Sequence, residues 1–212
     1  MKRIVCIVCL FASCSLFAQK TQVGDFTAHL DIGAPKVQGN TVYSKKDKSY
    51  IISGGGYNIW FGRDELQYAF NKLRGDFTLT ANFAFIGAGK EAHRKTGWMI
   101  RSSLVDSAMQ ICATVHGDGL TVLQWRGSKG MKMRDPEDEI FASGKNYSLI
   151  QLQRRGDTIV MRVAEKEGDP WQLVGEHVLE NLPGDVFAGI FICSHNPDVM
   201  EQARVWNVRI GK

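Results

Sequence analysis

The stretch MQICATVHGDGLTVLQWR, residues 109–126, decides the fold class. Met109, Ile111, Ala113 and Val115 alternate with Gln110, Cys112, Thr114 and His116, and Gly117-Asp118-Gly119 then turns the chain into a second run from Leu120 to Arg126. Hydrophobicity of period two is that of a pleated strand with one face hidden, and Asp-Gly between two such runs is a strong hairpin signal. Outward from this hairpin the pattern recurs. Phe26, Ala28, Leu30 and Ile32 alternate with Thr27, His29 and Asp31, and Phe77, Leu79, Ala81, Phe83 and Phe85 with Thr78, Thr80 and Asn82. A second hairpin runs from Tyr147 to Arg154, turns at Arg155-Gly156-Asp157 and returns from Thr158 to Ala164; strands from Val186 to Ser194 and Ala203 to Ile210 follow. About a dozen short strands spaced by turn signals predict an all-β, two-sheet antiparallel sandwich rather than βαβ units. One segment, Arg63 to Leu73, is ambiguous: Leu66, Ala69, Phe70 and Leu73 fall at helical spacing, yet a strand with a bent loop fits equally.

The first residues resemble a secretory leader. Lys2 and Arg3 precede an apolar run of 14 residues, Ile4 to Phe17, too short for a stop-transfer helix, and Ala18 permits cleavage before Gln19. A competing cut before Cys14 follows from Ala12-Ser13-Cys14, which resembles a lipobox and would give a lipid anchor. The expected organisation is therefore a signal peptide over 1–18 and a single domain over 19–212, exported to the periplasm or beyond, with no transmembrane span in the mature chain. Removing Lys2 and Arg3 lowers the formal charge from +4 to +2, a mild balance that argues against nucleic acid as the partner. Of five cysteines only Cys112 and Cys193 lie beyond the leader. One disulfide or two buried thiols are both open, and no Cys-x-x-Cys spacing points to zinc.

Several stretches together resemble secreted bacterial domains of unknown function in the concanavalin A-like lectin/glucanase superfamily, of the kind sometimes attached to TolB-like β-propellers. They are Asp31-Ile32-Gly33, Gly56-Tyr57-Asn58-Ile59-Trp60, Gly97-Trp98-Met99-Ile100-Arg101, His116-Gly117-Asp118-Gly119, Leu123-Gln124-Trp125-Arg126 and Val205-Trp206-Asn207-Val208-Arg209-Ile210. The resemblance implies a jelly-roll sandwich that binds glycan on one sheet, and it is weak for activity because that superfamily mixes lectins, binding modules and hydrolases.

Strand parity independently sorts the side chains. With Trp98, Ile100, Leu123 and Trp125 inward, the outward set is Asn58, Trp60, Arg101, His116, Gln124 and Arg126. An indole offers a flat apolar plate to a sugar ring, and fixed Arg, Asn, Gln and His groups hydrogen-bond its hydroxyls. Arg63, His93, Arg94 and His195 are candidate rim residues, although His93-Arg94-Lys95 also reads as a solvated loop and His195-Asn196-Pro197-Asp198 as turn chemistry. Trp98, Trp125, Trp171 and Trp206 read as core. Asp135, Glu137, Asp138 and Glu139 crowd one loop; calcium there lacks EF-hand spacing, so a solvated acidic loop is expected and no cofactor is implied. No strand carries the Glu-x-Asp-x-Glu of glucanases, and no Gly-x-Ser-x-Gly, His-Glu-x-x-His or P-loop occurs. The expected function is an exported, non-catalytic glycan-binding domain. A glycoside hydrolase or related polysaccharide-active enzyme is the first alternative, and a cell-envelope protein-interaction module the second.

Overall fold

The computed structural model describes residues 22–212, so the expected signal peptide over 1–18 and the alternative cut before Cys14 lie outside the described residues. Fourteen strands and no helix are found among them: β1 Ala28–Ile32, β2 Asn40–Ser44, β3 Ser49–Gly54, β4 Leu66–Arg74, β5 Phe77–Ile86, β6 Lys95–Arg101, β7 Gln110–His116, β8 Thr121–Arg126, β9 Glu139–Phe141, β10 Leu149–Arg155, β11 Thr158–Ala164, β12 Gln172–Val178, β13 Asp185–Cys193 and β14 Glu201–Gly211. They form two antiparallel seven-stranded sheets. The front sheet has the order β1-β4-β13-β6-β7-β8-β9 and the back sheet β12-β11-β10-β5-β14-β3-β2, which places the C-terminal strand β14 between β5 and β3. This is the predicted jelly-roll sandwich.

Parity explains the layers. Trp98 and Ile100 of β6, Ile111 and Ala113 of β7, Leu123 and Trp125 of β8 and Ile190 and Ile192 of β13 point between the sheets. There they meet Leu79, Ala81 and Phe83 of β5, Leu152 of β10 and Val205 of β14 in one core. Trp98 is fully buried, lies edge-on to Phe83 and donates its indole N–H to the Ile150 carbonyl at 3.3 Å. The hairpin expected at 117–119 is present, with Gly119 at φ 84 where a side chain is strained.

The front sheet also hides much of its outer face. Leu66, Tyr68 and Phe70 of β4, Met99 of β6, Cys112 of β7 and Phe191 and Cys193 of β13 form a second buried cluster closed over by Ile59. The cover is the 55–65 segment, a loop throughout, so the strand parity that assigned Asn58 and Trp60 a face does not apply there. Its entry needs glycine: Gly56 sits at φ 121, and a Cβ there would fall 2.1 Å from the Glu65 carbonyl oxygen. Burial of both faces accounts for the ambiguity of Arg63 to Leu73. That segment is strand from Leu66, and apolar residues on both sides mask its period of two.

A charged cluster holds the cover down. Asp64 is fully buried and ion-pairs with both Arg126, at 2.6 Å, and Arg101. Arg126 also donates to the carbonyls of Ile59, Phe61, Ala108 and Met131, and Arg101 to those of Ser103 and Val105. Two guanidinium groups are thus matched by one carboxylate and a ring of carbonyl dipoles, the dense pairing a buried charge requires.

The expectation that Trp171 and Trp206 belong to the core is corrected. Trp171 is exposed and Trp206 half-buried, because neither points between the sheets; Arg204 lies 5.2 Å over the Trp206 ring on the outer surface of β14. Cys112 and Cys193 are free and buried. The strand β6 separates them, so their backbones are about 9.5 Å apart across the sheet alone, beyond the roughly 7 Å that a disulfide spans. Burial raises both thiols, Cys112 to about 12 and Cys193 to about 11.

Because removing Asp64 strands two desolvated guanidinium groups, Asp64→Ala should cost about 3–5 kcal/mol in urea unfolding. A loss below about 1 kcal/mol would show that the cluster does not hold the cover.

Candidate functional site

The cover stops short of one end of the front sheet, where a cavity of about 360 Å³ opens. Its floor is sheet. Lys95 begins β6, directly across from His116 at the end of β7, and Gln124 of β8 lines the same cavity further along the sheet, opposite Cys112. All three are buried polar side chains. Lys95 donates to the His93 carbonyl at 2.9 Å. Neither ring nitrogen of His116 has a hydrogen-bond partner, nor has the amide nitrogen of Gln124. Buried polar atoms left unsatisfied in this way cost about 1–3 kcal/mol each, so a cavity that gathers several is organised around something other than stability.

The walls are loops. Asn58 accepts the N–H groups of Ile59 and Trp60 at 2.8 and 3.1 Å, an Asx turn that sets the direction of the chain, while its amide nitrogen lies 3.1 Å from His195 Nε2. Trp60, half-buried, is fixed through its carbonyl by the Met133 N–H and presents its ring to the cavity. His195 follows β13 in the left-handed region, φ 61. The imidazoles of His93, His116 and His195 cluster, with ring centroids 5.9 Å apart for His93 and His116 and 5.6 Å for His93 and His195. Among the described residues no group of His, Cys, Asp and Glu is arranged to hold a metal ion. On the remaining side stand Phe141, Asp135 and Glu139.

Electrostatics here are governed by burial. It lowers the Lys95 ammonium from the ordinary lysine range. It also pushes His116 down to about 3, with the Lys95 charge adding to the effect, and His195 to about 4. Both imidazoles are therefore neutral at pH 7, each offering one donor and one acceptor. Glu139 moves the other way, up to about 7, through burial first and then through the charge and hydrogen bond of Asp135. The site thus combines a desolvated amine, neutral imidazoles and a carboxyl that holds its proton to near neutrality.

Of the residues expected from parity, the structure brings Asn58, Trp60, His116 and Gln124 together with the rim residues His93 and His195. Arg101 and Arg126 lie on the same face, but Asp64 and the cover seal them with no side-chain exposure, so they are not available to a ligand. Arg94 is also withdrawn: it is buried against Glu201 at 2.5 Å and stacks over Phe85, anchoring its loop to β14. Arg63 is exposed and paired with Glu65 at 2.6 Å, away from the cavity. Sequence reasoning missed Lys95, which shares the parity of Met99 and Arg101 and is legible once β6 is extended two residues before Gly97. It also missed Asp135, Glu139 and Phe141. Asp135 and Glu139 belong to the acidic run expected to be solvated, and the three-residue strand β9 is too short to show a period.

No protein-family profile and no curated protein matches the sequence. Solved structures are similar in fold. A functionally unknown protein from Saccharomyces cerevisiae superposes with a TM-score of 0.59 at 12% identity, covering 81% of this chain and 95% of that one. A family 7 alginate lyase in complex with product gives a TM-score of 0.52 at 8% identity, with 81% and 82% covered. The Bacteroides ovatus protein described as xyloglucan PUL GH43B gives 0.53 at 11% identity; the match covers 80% of this chain but only 34% of that one. These likenesses establish the sandwich.

Raised proton affinity in the folded state means that Glu139 contributes stability below its unfolded pKa of about 4.5, a contribution lost as pH rises through about 7. Glu139→Gln should therefore raise the melting temperature relative to wild type more at pH 8 than at pH 5. Equal effects at the two pH values would place an ordinary carboxylate there.

Proposed function

We propose that the cavity at the open end of the front sheet binds carbohydrate, and that the protein is a glycan-binding domain. The observation that carries this reading is the set of unpartnered, buried polar atoms on His116 and Gln124 in a cavity also lined by Trp60. A pyranose has an apolar C–H face and a rim of hydroxyls that each donate and accept. Trp60 and Phe141 supply the plates, and neutral imidazoles with an amide supply partners of both kinds. A volume of about 360 Å³ admits one or two sugar rings, and the rigid sheet beneath fixes the geometry before the ligand arrives. Similarity of fold to proteins whose descriptions name alginate and xyloglucan is in keeping with this reading.

Catalysis on polysaccharide is a second reading, favoured by one observation: two carboxyls, Asp135 and Glu139, meet at the cavity wall and one is protonated to about pH 7, as a general acid must be. Export of the chain after cleavage before Gln19 is part of the same proposal, since it would bring the domain to extracellular glycans.

On a glycan array the protein should retain a defined set of oligosaccharides. Trp60→Ala should weaken their binding at least tenfold, or about 1.4 kcal/mol, with the fold intact by circular dichroism. Undiminished binding by this variant would remove the site assignment. Release of reducing ends that Glu139→Gln abolishes would instead favour the enzyme. N-terminal sequencing of protein recovered from the periplasm or medium should begin at Gln19, and an uncleaved chain would contradict export.

A further inference from the structure

The floor of the cavity offers more hydrogen-bond donors than acceptors. Lys95 is 4% exposed, yet no carboxylate pairs with it among the described residues; its Nζ reaches only the His93 carbonyl, and Asp118 and Glu139 act on it at longer range. Elsewhere in the protein each buried guanidinium in the charged clusters has a carboxylate in contact, Arg94 with Glu201 and Arg101 and Arg126 with Asp64. Lys95 lacks such a partner, as does Arg154, whose buried guanidinium donates to the carbonyls of Gly156 and Gly184; of these two, Lys95 is the one that faces this cavity. In the same cavity the Gln124 amide nitrogen brings two further unpartnered donors, and neutral His116, directly across from Lys95, one donor with one acceptor.

From this geometry we infer that the floor formed by Lys95, His116 and Gln124 receives an anionic substituent of a saccharide, the carboxylate of a uronic acid or a sulfate ester. The inference rests on the carbohydrate reading and names the chemical class of the sugar. A bound anion would supply the counter-charge that Lys95 lacks and accept from the unpaired donors, whereas a neutral hydroxyl satisfies one or two of them and leaves the ammonium desolvated without a partner. The opposite wall does not forbid this. Burial and the neighbouring Asp135 raise Glu139 to about 7, so at neutrality its carboxyl is partly protonated and can donate a hydrogen bond to a sugar hydroxyl.

Calorimetric titration of the purified protein with matched pairs tests the inference: trigalacturonate against its methyl ester, and a sulfated galactan oligosaccharide against its desulfated form. The acidic member of one pair should bind at least tenfold tighter than its neutral partner, and the pair that shows the difference tells carboxylate from sulfate. Lys95→Met should bring that ratio close to one while melting no lower than wild type, because the lysine's desolvation is relieved; Lys95→Arg, which keeps the charge, should retain a preference. Neutral members binding as tightly as acidic ones would overturn the inference and leave the carbohydrate reading standing. Failure of all four to bind, with an empty glycan array, would remove both. A preference that survives in Lys95→Met would take the role away from this residue.

Discussion

Asp64 is the constraint on which the remaining architecture depends. A jelly-roll sandwich needs only its inner faces covered, and the front sheet could have left its outer face open from β1 to β9. Two arginines on that face, Arg101 and Arg126, instead recruit one carboxylate and a set of loop carbonyls, which draws the 55–65, 102–109 and 127–131 segments down over the strands. Ile59 then fills the space above Tyr68, Met99 and Cys112. The ion cluster is costly to desolvate, and its benefit is specificity of loop placement more than stability. What it leaves uncovered is the far end of the sheet, and the position of the cavity is a result of where that cover ends.

Polar groups at the two ends of the same face therefore meet opposite fates. At the covered end every charge is matched and the residues are inaccessible. At the open end Lys95, His116 and Gln124 are nearly as buried but are not matched by a counter-charge, and burial more than any partner shifts the proton affinity of Lys95 and His116. Such a site lowers the stability of the fold around it, and the sandwich core of Trp98, Phe83, Leu79 and Ile190 offsets that loss.

Much of this is legible in the sequence, and the limit is physical. Alternation in 109–126 identifies which side chains share a face, and His116, Gln124, Arg101 and Arg126 do share one. Alternation carries no information about what lies above a face. That Asp64 would fold back onto the two arginines depends on contacts 37 and 62 residues apart in the chain, which no local pattern records. Asn58 and Trp60 reach the cavity although the strand reasoning that selected them fails, since an Asx turn and the insertion of Ile59 place them there. Helical spacing in 63–73 misleads for the converse reason: a strand buried on both sides shows no alternation. Lys95 is overlooked because a charged side chain beside Gly87, Gly89 and Gly97 reads as a loop, when it is the first residue of β6.

The placement of β14 has a bearing on how the molecule is made. Its partners β5 and β3 leave the ribosome more than a hundred residues earlier, and neither can find its neighbour until residues 201–211 have been synthesised. The back sheet is therefore closed last, by contacts of high sequence separation, which are slow to form. Until then the nascent polypeptide carries two unpaired strand edges, on β3 and β5, that are exposed to mispairing.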